Sequence, residues 1–304
     1  MKLLDLVLHL AVVLVIPPLL LGVIAKTKAA FAGRTGPPLL QPYFDIAKLL
    51  RKGSVFSTTT TWVFRAGPVV GLAAPLAASL LVPFGKEPAP VSFAGDLILF
   101  AYLFGLARFF VASAALDTGS AFEGMGAARE VSFSCLAEPA LFFGLLVVAK
   151  ISGSMSLSPM LTAPWASGWM TAGAPLVLVL ASWFVVLLVE NSRIPFDDPN
   201  THLELTMIHE VMVLDHGGPA FGLVLYGAAM KLFVLGALLT RVLIPYHPSV
   251  PALAWLSFLA GMLFLAVVIG VVESVMARLK LVRIPQLLVT ACLLSAFGLV
   301  LLIR

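Results

Sequence analysis

Eight apolar runs of membrane-spanning length fill the chain, at about residues 3–25, 66–84, 94–115, 131–151, 172–190, 219–244, 252–276 and 285–303. A helix needs about 20 apolar residues to cross the hydrocarbon core, and a span must close its own backbone hydrogen bonds because lipid offers none. The expectation is an all-α polytopic membrane protein. A hydrophobic share of 61% and a charged share of 11%, against about 45–50% and about 25% in soluble domains, exclude an ordinary soluble enzyme. The runs leave little of residues 1–304 over, so the chain reads as a single transmembrane domain, with any catalytic module expected on another chain. The first run starts beside Lys2 and is followed by small residues near Ala25, as in signal peptides. Its length and the further spans favour an uncleaved first helix.

Loop charge sets the expected orientation. Loops after spans 1, 3, 5 and 7 carry Lys26, Lys28, Arg34, Lys48, Arg51, Lys52, Arg65, Arg129, Arg193, Arg278, Lys280 and Arg283, twelve cations. The other face has five, Lys2, Lys86, Lys150, Arg241 and Arg304. Both termini are therefore expected outside a cell inner (cytoplasmic) membrane. The net charge of +4 fits contact with the inner leaflet and gives no reason to expect nucleic acid. Cys135 and Cys292, each alone in an apolar run, suggest neither a disulfide framework nor a cluster site.

Two cytoplasmic interfacial helices are expected. In the first loop, Pro42 suits a first helical turn, Gly53 a stop, and Lys48, Arg51 and Lys52 the cation-favouring last turn. That helix reads equally as a lipid anchor or a docking surface. In the third loop, Thr201 and Glu204 fit a capping box after Pro199, and Gly217, Gly218 and Pro219 fit a stop, predicting about fifteen helical residues. The outer segment 152–172 reads as an interfacial connection, with Trp165 and Trp169 in the aromatic belt.

The third loop also concentrates titratable groups: Glu190, Asp197, Asp198, Glu204, Glu210 and Asp215 with Arg193, His202, His209 and His216. Intramembrane and membrane-edge ionisable groups are costly and usually functional. The three histidines recur every seven residues, roughly 10 Å apart on one helix face, too far apart to share one metal ion. They read as a polar stripe facing water or a partner, or as a proton relay. Glu204 reads as a cap. Glu210 falls beside Leu203, Met207 and Leu214, where desolvation raises a carboxyl pKa.

Among the charged residues within the spans, Arg108, Glu138, Glu190, Lys231 and Glu273 are the candidates. Arg108 and Glu138 fall at the same depth and form a candidate ion pair, structural or functional. Pro139 is expected to disrupt the helix there and admit water. Lys231, mid-span, requires a carboxylate or a wet cavity. Glu273 and Glu190 lie near helix ends, where an interfacial role also fits. No Walker A sequence, CxxC, HExxH or nucleophile elbow occurs, and Gly124-Met125-Gly126 is an isolated GxG.

Residues Glu190 to Asp197 (ENSRIPFD) have the ExxRxPFD form that ends the fifth span in the membrane subunit 1 family of respiratory complex I. The segment Arg34-Thr35-Gly36-Pro37, then Leu39 to Pro42 and Asp45 to Leu50, resembles that family's first cytoplasmic loop. Arg129 with Glu138 resembles the Arg and Glu opening its fourth span. A shorter first loop and the segment HLELTMIHEVMVLDHGGP resemble the membrane subunit of group 4 energy-converting nickel–iron hydrogenases, of hydrogenase-4, carbon monoxide-induced and formate hydrogenlyase types.

This resemblance implies a subunit without a catalytic centre or bound cofactor. It would seat a peripheral hydrogenase arm and couple electron transfer to proton or Na+ translocation. Expected partners are hydrogenase large and small subunits and iron–sulfur subunits, which carry the nickel–iron centre and iron–sulfur clusters, and antiporter-like membrane subunits. The charge path is expected through Arg108, Arg129, Glu138, Glu190, Arg193, Asp197, Glu204, Glu210, Lys231 and Glu273, with docking at Lys48, Arg51, Lys52, His202, His209 and His216. Lys231 stands where the complex I branch often has an acid. The rival readings are a quinone-binding subunit of an NADH:quinone oxidoreductase, a stand-alone secondary transporter and an inert anchor.

Overall fold

A computed structural model describes residues 3–85, 87–163, 165–197, 207–244 and 250–303. The helices in chain order are α1 (Leu3–Phe31), α2 (Gln41–Leu50), α3 (Trp62–Ser79), α4 (Asp96–Asp117), α5 (Ala121–Ser152), α6 (Leu157–Thr162), α7 (Trp165–Glu190), α8 (Gly218–Leu243), α9 (Pro251–Val275) and α10 (Ile284–Ile303). Two 3-10 turns, Glu210–Val213 and Leu281–Arg283, complete the described elements. Eight helices, all but α2 and α6, are long and apolar enough to cross a bilayer. The chain is a multi-pass membrane protein, and the expected spans are all present.

Two spans start well before their apolar runs, α5 and α7. The α5 helix begins at Ala121 because Arg129 and Glu130 continue its helix below the apolar stretch. The α7 helix begins at Trp165 and is kinked at Ala172 (φ −133°, ψ 34°), three residues before Pro175, whose ring obstructs the preceding turn. Pro139, in contrast, leaves α5 unbroken. Packing against α4, α7 and α10 holds that helix across the missing N–H.

Prolines do leave a mark in α1. Pro18 has no N–H for the carbonyl of Leu14, four residues earlier, and the Tyr226 hydroxyl of α8 donates to that oxygen instead, at 2.7 Å. The Tyr43 hydroxyl of α2 donates to the neighbouring carbonyl of Val15. Leu39 lies against Gly22, and the carbonyl of Gly53 against Gly218, so α2 runs along α1 and the start of α8. Its Lys48 remains exposed, as do Arg51 and Lys52 just beyond its end.

Small residues let other helices approach. A Cβ on Gly227 would lie 2.6 Å from the carbonyl oxygen of Gly71, which fixes the α3–α8 crossing. Ser182 of α7 donates to the Ala291 carbonyl of α10 at 2.7 Å and accepts from Ser295 at 2.7 Å.

On the face opposite the acidic loop, two buried charges hold α6 from both ends. Asp96 accepts from the Leu157 N–H at 2.6 Å and the Ser156 hydroxyl at 2.7 Å. Arg241 donates to the Leu161 carbonyl at 3.2 Å. An anion at the N-terminus and a cation at the C-terminus both oppose the helix dipole. Trp165 is 1% exposed and Trp169 donates to the Val242 carbonyl at 3.0 Å. Both therefore pack inward rather than forming a lipid-facing belt, because α6 and α7 fold back over the end of α8.

The expected fifteen-residue loop helix is corrected. Thr201, His202 and Glu204 lie outside the described residues, and residues 207–217 contain only the turn Glu210–Val213. Side chains have taken the helix-forming donors. The Ile208 and His209 N–H groups donate to Asp197 at 2.9 and 3.2 Å, and the Asp215 N–H donates to Glu123 at 2.9 Å. Position 227 offers a direct check of the packing. Gly227→Leu forces α3 from α8 and should cost about 1–3 kcal/mol, seen as a lower unfolding temperature of the detergent-purified protein; an unchanged temperature contradicts the crossing.

Candidate functional site

Arg108, near the middle of α4, reaches two carboxylates. Its Nη1 meets Glu138 Oε1 of α5 at 2.5 Å, and its Nη2 meets Glu190 Oε1 of α7 at 2.8 Å. Lys231 of α8 lies 3.6 Å from the other Glu190 oxygen. Two cations and two anions thus join four spans, and Lys231 has the carboxylate its depth demands. Glu190 is 7% exposed, whereas the Glu138 side chain is 45% exposed. The network therefore runs from the interior to the outer surface of this chain.

The ExxRxPFD segment distributes its charges among separate elements. Glu190 serves Arg108 and Lys231. Arg193 meets Glu273 at 3.4 Å, and the same carboxylate takes Lys28 at 2.8 Å, so Glu273 is a buried bridge between α1, α9 and the loop rather than an interfacial charge. Asp197 accepts from Arg278 at 3.0 Å besides the two N–H groups that position residues 208 and 209. Arg129 donates to the Met207 carbonyl at 2.9 Å.

Two clefts flank this network. The interior one, about 540 Å³, lies among α3, α4, α5 and α8 and is bordered by Arg108, Glu130, His209 and Lys231. The loop-side one, about 620 Å³, is bordered by Leu21, Asn191, Arg193, His209 and Glu210. Glu130 is 7% exposed and has no ion pair among the described residues. Hydropathy alone leaves it in the loop, since the apolar run starts at Val131. A helical start at Ser120 would have carried it into α5. Glu123, likewise unassigned from sequence, holds the loop at Asp215.

His209 and His216 share no exposed helical stripe, since residues 207–217 hold only the turn Glu210–Val213. His216 is 7% exposed and stacks on Phe64 with centroids 4.0 Å apart. Burial brings its pKa down to about 4, against the weaker upward pull of Asp215. Burial raises the Glu210 carboxyl above its ordinary value, while His209 opposes the rise. Burial and then Lys231 hold the His209 imidazole below its ordinary value. Among the described residues no three His, Cys, Asp or Glu side chains converge as a metal site.

Residues 4–304 match the NADH dehydrogenase family. The chain belongs to that family. Within the NADH dehydrogenase family it is 34% identical over 289 residues to formate hydrogenlyase subunit 4 of Escherichia coli (strain K12), covering 91% of each chain. It is 33% identical over 235 residues to hydrogenase-4 component C of the same strain, covering 77% of this chain and 73% of the relative. The corresponding NADH-quinone oxidoreductase subunit of Verminephrobacter eiseniae (strain EF01-2) is 29% identical, over 68% of this chain and 60% of the relative. The fold matches a chain of the membrane-bound sulfane sulfur reductase, an archaeal respiratory membrane complex, with TM-score 0.84, 22% identity and 98% of both chains covered. The expected kinship with the hydrogenase-type branch is borne out, with the NADH-quinone oxidoreductase subunits a related branch.

Arg108→Met leaves Glu190 with Lys231 alone and should cost about 3–5 kcal/mol, measured by denaturation in detergent. Glu138→Gln, at a more exposed carboxylate, should cost less. For His216 the folded pKa of about 4 lies below the ordinary 6.5. Its contribution to stability is therefore full above pH 6.5 and is lost as pH falls towards 4. His216→Phe keeps the stack on Phe64 and should flatten the acid-side fall in unfolding temperature.

Proposed function

We propose that this chain is the membrane subunit of an energy-converting, hydrogenase-type redox complex. It seats a peripheral arm carrying the nickel–iron centre and iron–sulfur clusters, and couples electron transfer there to proton (or Na+) translocation. Support for the branch comes from the two hydrogenase-type relatives. Support for coupling comes from one observation above all: the Glu138–Arg108–Glu190–Lys231 network, which begins beneath the acidic loop and ends at the side of the bundle.

In this reading the chain lies in the cell inner membrane as one transmembrane domain, with both termini outside and the third loop facing the cytoplasm. Lys48 on α2 and Arg51 and Lys52 just after it, with the third loop, form the docking surface, and antiporter-like subunits cover the Glu138 side. Redox chemistry in the arm changes the charge or position of the loop near Glu210. Because Asp197 grips residues 208 and 209 while Arg193 grips Glu273, a loop movement displaces the residues immediately following Glu190. The carboxylate then changes its sharing between Arg108 and Lys231, and Glu138 gains or loses its counter-ion. Carrying one charge against 100 mV requires about 2.3 kcal/mol, and a shift of two pKa units supplies about 2.7 kcal/mol, so one perturbed carboxylate is sufficient in scale.

The test uses the native complex, purified through a tag on this chain and reconstituted in vesicles. The expected result is co-purification with nickel–iron and iron–sulfur subunits, together with acidification of the lumen during viologen-driven hydrogen evolution. In Glu138→Gln the protons moved per hydrogen evolved should fall about tenfold or more with assembly intact. Unchanged translocation removes Glu138 from the path, and quinone reduction in place of hydrogen evolution overturns the hydrogenase assignment.

A further inference from the structure

The interior and loop-side clefts share a wall made of His209, Val224 and Ala228. On one side stand Glu130, Arg108 and Lys231, and on the other Glu210 and Arg193. Val224 and Ala228 can neither donate nor accept a proton. The imidazole can, and its Nδ1 is buried without a hydrogen-bond partner. Asp197 fixes the His209 N–H at 3.2 Å, so the backbone holds the ring at the partition while its Nδ1 is left open to exchange.

We propose that the His209 side chain carries protons between Glu210 in the loop-side cleft and Glu130 in the interior cleft, while Val224 and Ala228 keep water from joining the two. The inference rests on reading the chain as an ion-coupling subunit and adds where its path narrows to one group. A proton taken up at one ring nitrogen gives imidazolium. Loss of a proton from the other nitrogen leaves a neutral ring in the opposite tautomer, and ring rotation restores the start, so charge and atoms balance.

The electrostatic surroundings suit exchange. Lys231 from α8, Glu190 from α7, and Glu210 and Asp197 from the loop all act on the ring, with Glu130 of α5, Arg108 of α4 and Arg193 bordering the same clefts. The imidazole is held below its ordinary basicity by burial and Lys231, and the Glu210 carboxyl is held above its ordinary value by burial. Each is displaced towards the other group's ordinary value, the direction that favours transfer both ways.

The experiment compares the reconstituted native complex with its His209→Gln and His209→Ala forms, reading protons translocated per hydrogen evolved with reduced viologen as donor. His209→Gln should lower that ratio about tenfold or more, and added imidazole should restore it in His209→Ala. A His209→Gln complex with the wild-type ratio overturns the proposal. If His209→Gln does not assemble, His209→Ala decides: a ratio insensitive to imidazole overturns the proposal, because a positioning role alone is not rescued by a free base. A wild-type complex that evolves hydrogen without translocating overturns the coupling reading instead.

Discussion

The structure depends on one carboxylate shared between two cations. Glu190 meets Arg108 through one oxygen and Lys231 through the other, in surroundings where an isolated charge is not tolerated. Arg108 in turn needs Glu138, so the four groups are mutually conditional. Removing one leaves another without compensation, which in buried pairs costs more than the pair contributes. This explains why four spans, α4, α5, α7 and α8, must converge at one depth, and why the close α3–α8 crossing at Gly227 matters for the site.

The acidic segment after α7 connects this interior cluster to the loop. Within Glu190–Asp197 each charged residue engages a different element: Glu190 faces inward, Arg193 ties to α9 through Glu273, and Asp197 holds residues 208 and 209 while taking Arg278. A helix across residues 207–217 would have spent those N–H groups on carbonyls. Held by carboxylates instead, the loop places His209 between two clefts and Glu210 at the edge of one. Function and irregular backbone coincide here, and polar, non-helical chain near a membrane is sustained only where protein or water satisfies it.

Much of this was legible in the sequence because lipid imposes simple rules. Spans follow from apolar length, and the pairing of Arg108 with Glu138 follows from counting depth along neighbouring spans. The need of Lys231 for a carboxylate follows from its position in the span. Less legible were features whose cause lies in tertiary contact. Glu130 looked like loop because hydropathy fades before the helix does. Local caps predict a loop helix, but Asp197 from earlier in the same loop and Glu123 from α5 compete for its donors. Asp96 and Arg241 escaped attention because their partner is the backbone of α6 rather than each other. Trp165 and Trp169 have the composition of a belt but are covered by the fold-back of α6 and α7.

The central claim is that these buried charges form one hydrated, connected system rather than isolated dry pairs. The most direct measurement is a high-resolution electron-microscopy map of the assembled native complex in lipid, read for ordered water. The account predicts water in both clefts, within hydrogen-bonding distance of Glu130 and Lys231 on one side and of Glu210 and Arg193 on the other, interrupted at His209. Clefts filled by acyl chains or closed by partner side chains, with no water reaching Glu130 or Lys231, would contradict it.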